Sequence, residues 1–263
     1  MSAAPEVLLP SSVHEAVSLF GDGAGVTVVG GGTIVLPELT YGRLKPSRAL
    51  LLSRAGLAGL SRSGSTVTVG AATPIAELAS EPAPLGPCAA NIADLEIRAQ
   101  ATVGGNVCAG EGPDAPRGDL QGPLLALGAT ATSAGEGGIT TEPLEEFLPK
   151  RGSRLLLSVS FEEPVDGGFA ALGRPHTHDY TALAVSAAVR AEDGSIRLAA
   201  TGVGWWGTRL PSAEAAANDP RAAGKAALAD VTFHDDALAS AWYRERTLPV
   251  LVHRALVQLE EAA

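Results

Sequence analysis

The chain has 263 residues, 46% of them hydrophobic and 18% charged, with a net charge of −10. That supplies core for one large domain or two to three small ones, and the acidic balance argues against nucleic acid or an anionic membrane surface as the main partner. No apolar run is long enough to cross a bilayer, and the two cysteines, Cys88 and Cys108, cannot supply a four-cysteine iron–sulfur or zinc site. Met1 to Pro10 lacks a basic segment followed by an apolar one, so the expectation is a cytoplasmic protein with reduced thiols.

In chain order, Ser11 or Ser12 caps a helix that ends at Phe20. Glu15 stands three residues after Ser12, and Val13, Ala16, Val17 and Phe20 share a face. Val26 to Val29 reads as a buried strand running into the turn Gly30-Gly31-Gly32-Thr33. Ile34, Leu36 and Leu39 are expected to pack beneath it, with Pro37 opening a turn or short helix. Ala49 to Leu52 is a short strand. Thr66 to Gly70 belongs to a strand pair turning at Ser63-Gly64-Ser65. Thr73 and Pro74 have the form of a cap and first helical residue. Pro82 to Pro87 reads as a break, and Cys88 to Leu95 as a helix leading to a second glycine run, Ala101-Thr102-Val103-Gly104-Gly105-Asn106.

Beyond the glycine- and proline-rich loop Gly110 to Gly118, Asp119 is placed to cap an apolar helix through Leu127. Ala129 to Thr132 and Ile139 to Thr141 form a hairpin, and Leu155 to Phe161 a strand. Pro164 to Gly168 is the best boundary. The remainder reads strand, helix, strand, strand, helix. In it Pro211 to Ala217 and Pro220 to Leu228 are helical, and a long amphipathic pattern from Asp235 to Leu259 is interrupted near Pro249.

The two glycine runs carry the chemistry. Glycine lets a backbone turn tightly and approach a ligand, and N–H groups exposed in such turns make anion-binding nests. Alone, each run is only a turn, and neither fits the P-loop or the G-x-G-x-x-G pattern. Together they repeat strand, glycine turn and hydroxyl residue, so two nests for the two phosphates of a pyrophosphate are expected.

Val28-Val29-Gly30-Gly31-Gly32-Thr33, Val69-Gly70-Ala71-Ala72-Thr73, Ile97-Arg98-Ala99-Gln100-Ala101-Thr102-Val103-Gly104-Gly105-Asn106, Asp119-Leu120 and the tail around Arg254-Ala255-Leu256 resemble the FAD-binding medium subunit of molybdenum hydroxylases, the xanthine dehydrogenase and carbon monoxide dehydrogenase type. The resemblance covers nearly the whole chain, in order. It implies an α+β fold: two FAD-binding subdomains, 1–55 and 56–164, and a C-terminal subdomain, 168–263, of small antiparallel sheet plus helices. It implies FAD, a 2Fe-2S small subunit, a molybdopterin large subunit, and NAD or another electron acceptor.

Carried over residue by residue, Val28, Val29, Gly30, Gly31, Gly32, Thr33, Ile34 and Val35 resemble the first pyrophosphate loop. Thr102, Val103, Gly104, Gly105 and Asn106 resemble the second, with Thr102 and Asn106 as side-chain donors. Asp119 resembles the acid that holds a ribose hydroxyl, Ile92 the group packed on the adenine part, and Leu156 or Leu157 the leucine lining the flavin. Arg174 stands where a flavin-side electrostatic contact is expected. Gly173 occupies a position where lysine is common, and Ile34 one where an acid is frequent. Those departures motivate an alternative, a scaffold subunit that has lost FAD. A stand-alone flavin oxidoreductase ranks below both.

Other residues carry paired readings. Arg98 steadies a phosphate or partner, or is a solvated arginine. His176 and His178 point the same way on a strand, yet with Asp179 alone they lack a full ligand set, so a surface or flavin-edge pair is expected. Trp205 and Trp206 are expected one in and one out, Tyr243-Arg244 to be structural, and both cysteines to be small core residues, with Cys108 near the flavin.

Overall fold

The structure, a computed structural model, describes residues 5–110, 118–172 and 181–261. The chain begins β1 (Glu6–Leu8), α1 (Val13–Phe20), β2 (Val26–Val29), α2 (Val35–Thr40), β3 (Arg48–Leu51), β4 (Leu60–Ser63) and β5 (Thr66–Gly70). Helices α3 (Leu85–Asn91), α4 (Leu95–Gln100), α5 (Val103–Val107) and α6 (Gln121–Ala126) follow, then β6 (Thr130–Gly135), β7 (Gly138–Pro143), α7 (Leu144–Phe147) and β8 (Leu155–Glu162). It closes with β9 (Asp166–Leu172), β10 (Leu183–Val189), β11 (Ile196–Thr201), β12 (Thr208–Arg209), α8 (Pro211–Ala215), α9 (Pro220–Ala226) and α10 (Ala241–Glu261). These elements make two compact units, one of residues 1–75, 95–108 and 130–160, the other of residues 76–94, 109–129 and 161–263.

The first unit contains a parallel three-stranded sheet, β1-β3-β2, and a five-stranded sheet, β4-β5-β8-β6-β7. Helix α1 is capped as the sequence requires: Ser12 is extended and its Oγ accepts from the Glu15 N–H. Glu15 turns back one residue further than in a capping box, accepting from the N–H and hydroxyl of Ser11, both at 2.7 Å. Ala16 and Phe20 join Leu8, Leu50, Leu57, Leu155 and Leu157 in one core, which places β1, β3 and β8 around α1. Thr73 does not cap a helix. Fully buried, its hydroxyl accepts from the Gly59 N–H at 2.9 Å and donates to the Gly59 carbonyl at 3.0 Å, and only a single 3-10 turn, Ile75–Leu78, follows. Leu36 is 53% exposed rather than packed beneath β2.

In the second unit the sheet is antiparallel, in the order β12-β11-β10-β9. Leu183, Val185 and Ala187 face the core shared with Leu248, Leu251, Val252 and Leu256 of α10. The alternate side is covered by α6, whose Gly122 would place a Cβ 3.1 Å from Thr201 and 3.7 Å from the Ser186 hydroxyl. With both faces covered, β10 shows no polar alternation. The order is therefore strand, strand, strand, strand, then helices, and the expected helix after the first strand is absent among the described residues.

Three further expectations are corrected here. Helix α3 starts inside the anticipated break, because Pro87 lies in its first turn, where a missing N–H costs nothing. Asp119 is not the cap of α6: that position belongs to Leu120, with helical dihedrals and no side-chain cap. Helix α10 runs unbroken through Pro249. Gly224 of α9 lies against that turn, so close that a Cβ there would sit 2.5 Å from the Pro249 carbonyl oxygen.

Candidate functional site

The first glycine run leaves β2 at Val29 and enters α2 at Val35. Gly32 has φ +76°, a conformation costly for any residue with a Cβ. Its carbonyl accepts from the Leu36 N–H at 2.9 Å, which fixes the turn into α2. Among the described residues the N–H groups of Gly31, Gly32 and Thr33 make no hydrogen bond. Such a loop offers neighbouring donors to an anion without any lysine or arginine.

The second run is not an open turn. Thr102 is extended and caps the short helix α5, its hydroxyl accepting from the Gly105 N–H at 3.2 Å. The Val103 N–H donates to the Thr73 carbonyl at 2.9 Å, that of Gly104 to the Ala71 carbonyl at 2.7 Å, and that of Asn106 to the Thr102 carbonyl at 2.9 Å. The expected second nest is therefore closed. Thr102 and Asn106 are themselves buried, and Asn106 already has an interaction partner.

The two runs touch backbone to backbone. A Cβ built on Gly31 would lie 1.7 Å from the Gln100 carbonyl oxygen, and one on Gly30 would lie 2.4 Å from the Thr102 hydroxyl oxygen. Neither side can yield without moving main chain or the cap, so both positions require glycine. Leu156 and Leu157 are buried in β8 of the same unit, and the Leu157 carbonyl accepts from the Ala71 N–H at 2.9 Å. Main-chain bonds thus run from β8 through Ala71 to the second glycine run.

The second unit holds Ile92 and Asp119, each 7% exposed. Ile92 ends α3 in an extended conformation. The Asp119 carbonyl accepts from the Cys88 thiol at 3.5 Å. Burial, and then the Asp119 charge, push that thiol well above the ordinary range. Burial pushes the Cys108 thiol up to about 12, against the opposing influence of Arg151. Neither cysteine is thus a ready nucleophile at neutral pH. Arg98 is half-buried on α4. Gly173, Arg174, His176, His178 and Asp179 lie outside the described residues, and among those described there is no metal-ligating cluster.

Sequence reading missed one buried polar residue, Gln121, and gave another, Thr73, the wrong role. Thr73 clamps the loop before β4, and its neighbour Pro74 bridges to Thr102. Gln121, 1% exposed, accepts from the Gly207 N–H at 2.7 Å and donates to the Ala109 carbonyl at 3.1 Å. A glutamine in an apolar helix three residues from a proline-rich loop was the one available signal. Trp205 and Trp206 are both exposed, at 43% and 36%, which corrects the expectation of one inside.

Residues 3–161 match the family described as the FAD binding domain in molybdopterin dehydrogenase. The carbon monoxide dehydrogenase medium chain of Hydrogenophaga pseudoflava is 31% identical over 147 residues, 53% of this chain and 50% of that relative, so that match spans about half of its length. The 6-hydroxypseudooxynicotine dehydrogenase complex subunit alpha of Paenarthrobacter nicotinovorans is 27% identical, covering 96% of this chain and 93% of the relative. Among solved structures, a carbon monoxide dehydrogenase from Hydrogenophaga pseudoflava superposes with a TM-score of 0.84 at 26% identity, covering 99% of both chains. The first glycine run fits the family's cofactor. It has open N–H donors and no carboxylate among residues 28 to 35.

Proposed function

Because this chain belongs to the family of FAD-binding domains of molybdopterin dehydrogenases, we propose that it is the flavin-carrying, electron-transferring subunit of a multi-subunit molybdopterin-dependent hydroxylase or dehydrogenase. Its partners on this reading are a 2Fe-2S small subunit and a molybdopterin large subunit. The terminal acceptor is NAD or another external oxidant. Bound FAD supplies reversible one- and two-electron exchange.

This chain's own residues supply binding and order. The N–H groups of Gly31, Gly32 and Thr33 hold the pyrophosphate, assisted by the Thr102 hydroxyl and the Asn106 amide. Asp119 accepts from a ribose hydroxyl and Ile92 packs on the adenine part. Leu156 or Leu157 lines the flavin, and Arg174 gives it an electrostatic contact. No acid or base for the primary substrate is assigned to this chain. The division at 1–55, 56–164 and 168–263 is part of the same proposal.

The observation that carries the reading is the open first run seated on Gln100 and Thr102. The test is elemental and flavin analysis of the complex purified through a tag on this chain. FAD, iron and molybdenum in one peak are expected. A chain isolated with FAD but without either metal contradicts the electron-transfer role.

A further inference from the structure

Thr73 is fully buried and polar, and the binding roles assigned above make no use of it. Its hydroxyl accepts from the Gly59 N–H at 2.9 Å and donates to the Gly59 carbonyl at 3.0 Å. One side chain thus bonds both main-chain groups of a distant residue, as a neighbouring strand would. Valine has nearly the same shape and can make neither bond.

The residues around Thr73 form a strip bonded on two sides. On one side, the Ala72 N–H donates to the Leu57 carbonyl and the Gly70 N–H to the Gly59 carbonyl, both at 2.9 Å, so the loop before β4 is held against the strip. On the other, the Ala71 carbonyl accepts from the Gly104 N–H at 2.7 Å and the Thr73 carbonyl from the Val103 N–H at 2.9 Å, while the Ile75 N–H donates to the Ala101 carbonyl at 2.8 Å. Pro74 bridges to Thr102. Thr73 bonds both sides at once, the loop through its hydroxyl and the second glycine run through its carbonyl.

That run in turn seats the first. A Cβ on Gly30 would lie 2.4 Å from the Thr102 hydroxyl oxygen, and one on Gly31 would lie 1.7 Å from the Gln100 carbonyl oxygen. Contacts this close leave no slack, so a displacement of the strip is carried through Thr102 and Val103 to the main chain that bears the open N–H groups. All of these residues belong to the first unit.

We propose that Thr73 is a positioning residue for the flavin cofactor. Its hydroxyl ties the loop before β4 to the strip beneath the second glycine run, and so sets the place of the Gly31, Gly32 and Thr33 N–H groups. The inference rests on the reading of the first run as the FAD cradle and adds to it a residue that acts through others.

The test is the FAD affinity of the flavin-stripped full chain, by fluorescence titration, beside a denaturant melt of the same chain without FAD. Thr73→Val is expected to weaken FAD binding about tenfold. Thr73→Ser is expected to stay within about twofold of the parent, because it keeps a hydroxyl that can both accept and donate. Thr68→Val is the control for lost stability alone. It removes the 2.9 Å hydroxyl bond from Thr68 of β5 to Ser160 of β8 in the same unit, and is expected to lower the melt while leaving FAD affinity unchanged. Parent-like affinity in Thr73→Val overturns the inference and leaves the cradle standing. So does an equal loss in Thr68→Val, or a loss in Thr73→Ser as large as that in Thr73→Val. A parent chain that takes up no FAD overturns both. If Thr73→Val does not fold, hydrogen exchange of the parent decides: the Gly59 and Val103 amides should both exchange more slowly with FAD bound than without it, and a Gly59 amide unmoved by FAD contradicts the inference.

Discussion

The two glycine runs use the same residue for opposite ends. In the first, the missing Cβ atoms let the chain settle on Gln100 and Thr102 while the N–H groups of Gly31, Gly32 and Thr33 stay open. In the second, the missing Cβ of Gly104 lets a helix approach Ala71, where a Cβ would lie 2.9 Å from both its side chain and its carbonyl oxygen. There the N–H groups are consumed by Ala71, Thr73 and Thr102. On the proposed reading, one run is the cradle and the other its foundation. The difference is set by what lies opposite each backbone, not by the glycines themselves.

Substitution can separate the two roles. Gly31→Ala should have the largest effect on cofactor: its Cβ meets main chain, the loop must lift, and FAD affinity should fall by about a hundredfold or more, measured by fluorescence titration. Gly104→Ala should act first on folding, costing about 1–3 kcal/mol in a denaturant melt, with a smaller loss of FAD affinity. If Gly104→Ala weakens FAD more than Gly31→Ala does, the assignment of cradle and foundation is reversed.

A smaller change sharpens the same contrast. Thr102→Val removes the acceptor for the Gly105 N–H and should cost about 0.5–2 kcal/mol, while Thr102→Ser retains most of it. Smallest is a pH effect at the end of the second run. The folded Cys108 thiol titrates near 12 against an ordinary value of 9.0. A raised folded value means the stabilisation is complete below about pH 9 and is lost as pH rises from there towards 12. Stability of the parent should therefore fall over that interval, and the slope should be shallower in Cys108→Ser.

Much of the fold was legible where local chemistry decides it. Ser12 and Glu15 announced α1, and Gly64, at positive φ, announced the β4–β5 hairpin of the five-stranded sheet. The misread elements are those where tertiary contact overrides local preference. Alanine-rich β10 carries no period because α6 and α10 cover both its faces. Gly104 and Gly105 are poor helix formers, yet α5 forms because the Ala71 and Thr73 carbonyls accept from its first turn. Pro249 reads as a break, but the opening turn of α10 is anchored through Arg244 to Asp236 at 2.6 Å, and Gly224 packs against Pro249 itself. In the candidate site, the glycines and Thr102 were visible as a pattern, whereas the consumption of one run's donors depends on residues some thirty positions upstream.

The most direct test of the cradle is the visible absorption spectrum of the purified chain, with the heat-released flavin identified and counted. Flavin bands and FAD in near-equal ratio to protein, retained in Thr102→Ser and lost in Gly31→Ala, are the expected result. A parent chain that is colourless, takes up no FAD on incubation and shows no thermal shift with it would contradict the account and leave the scaffold reading in its place.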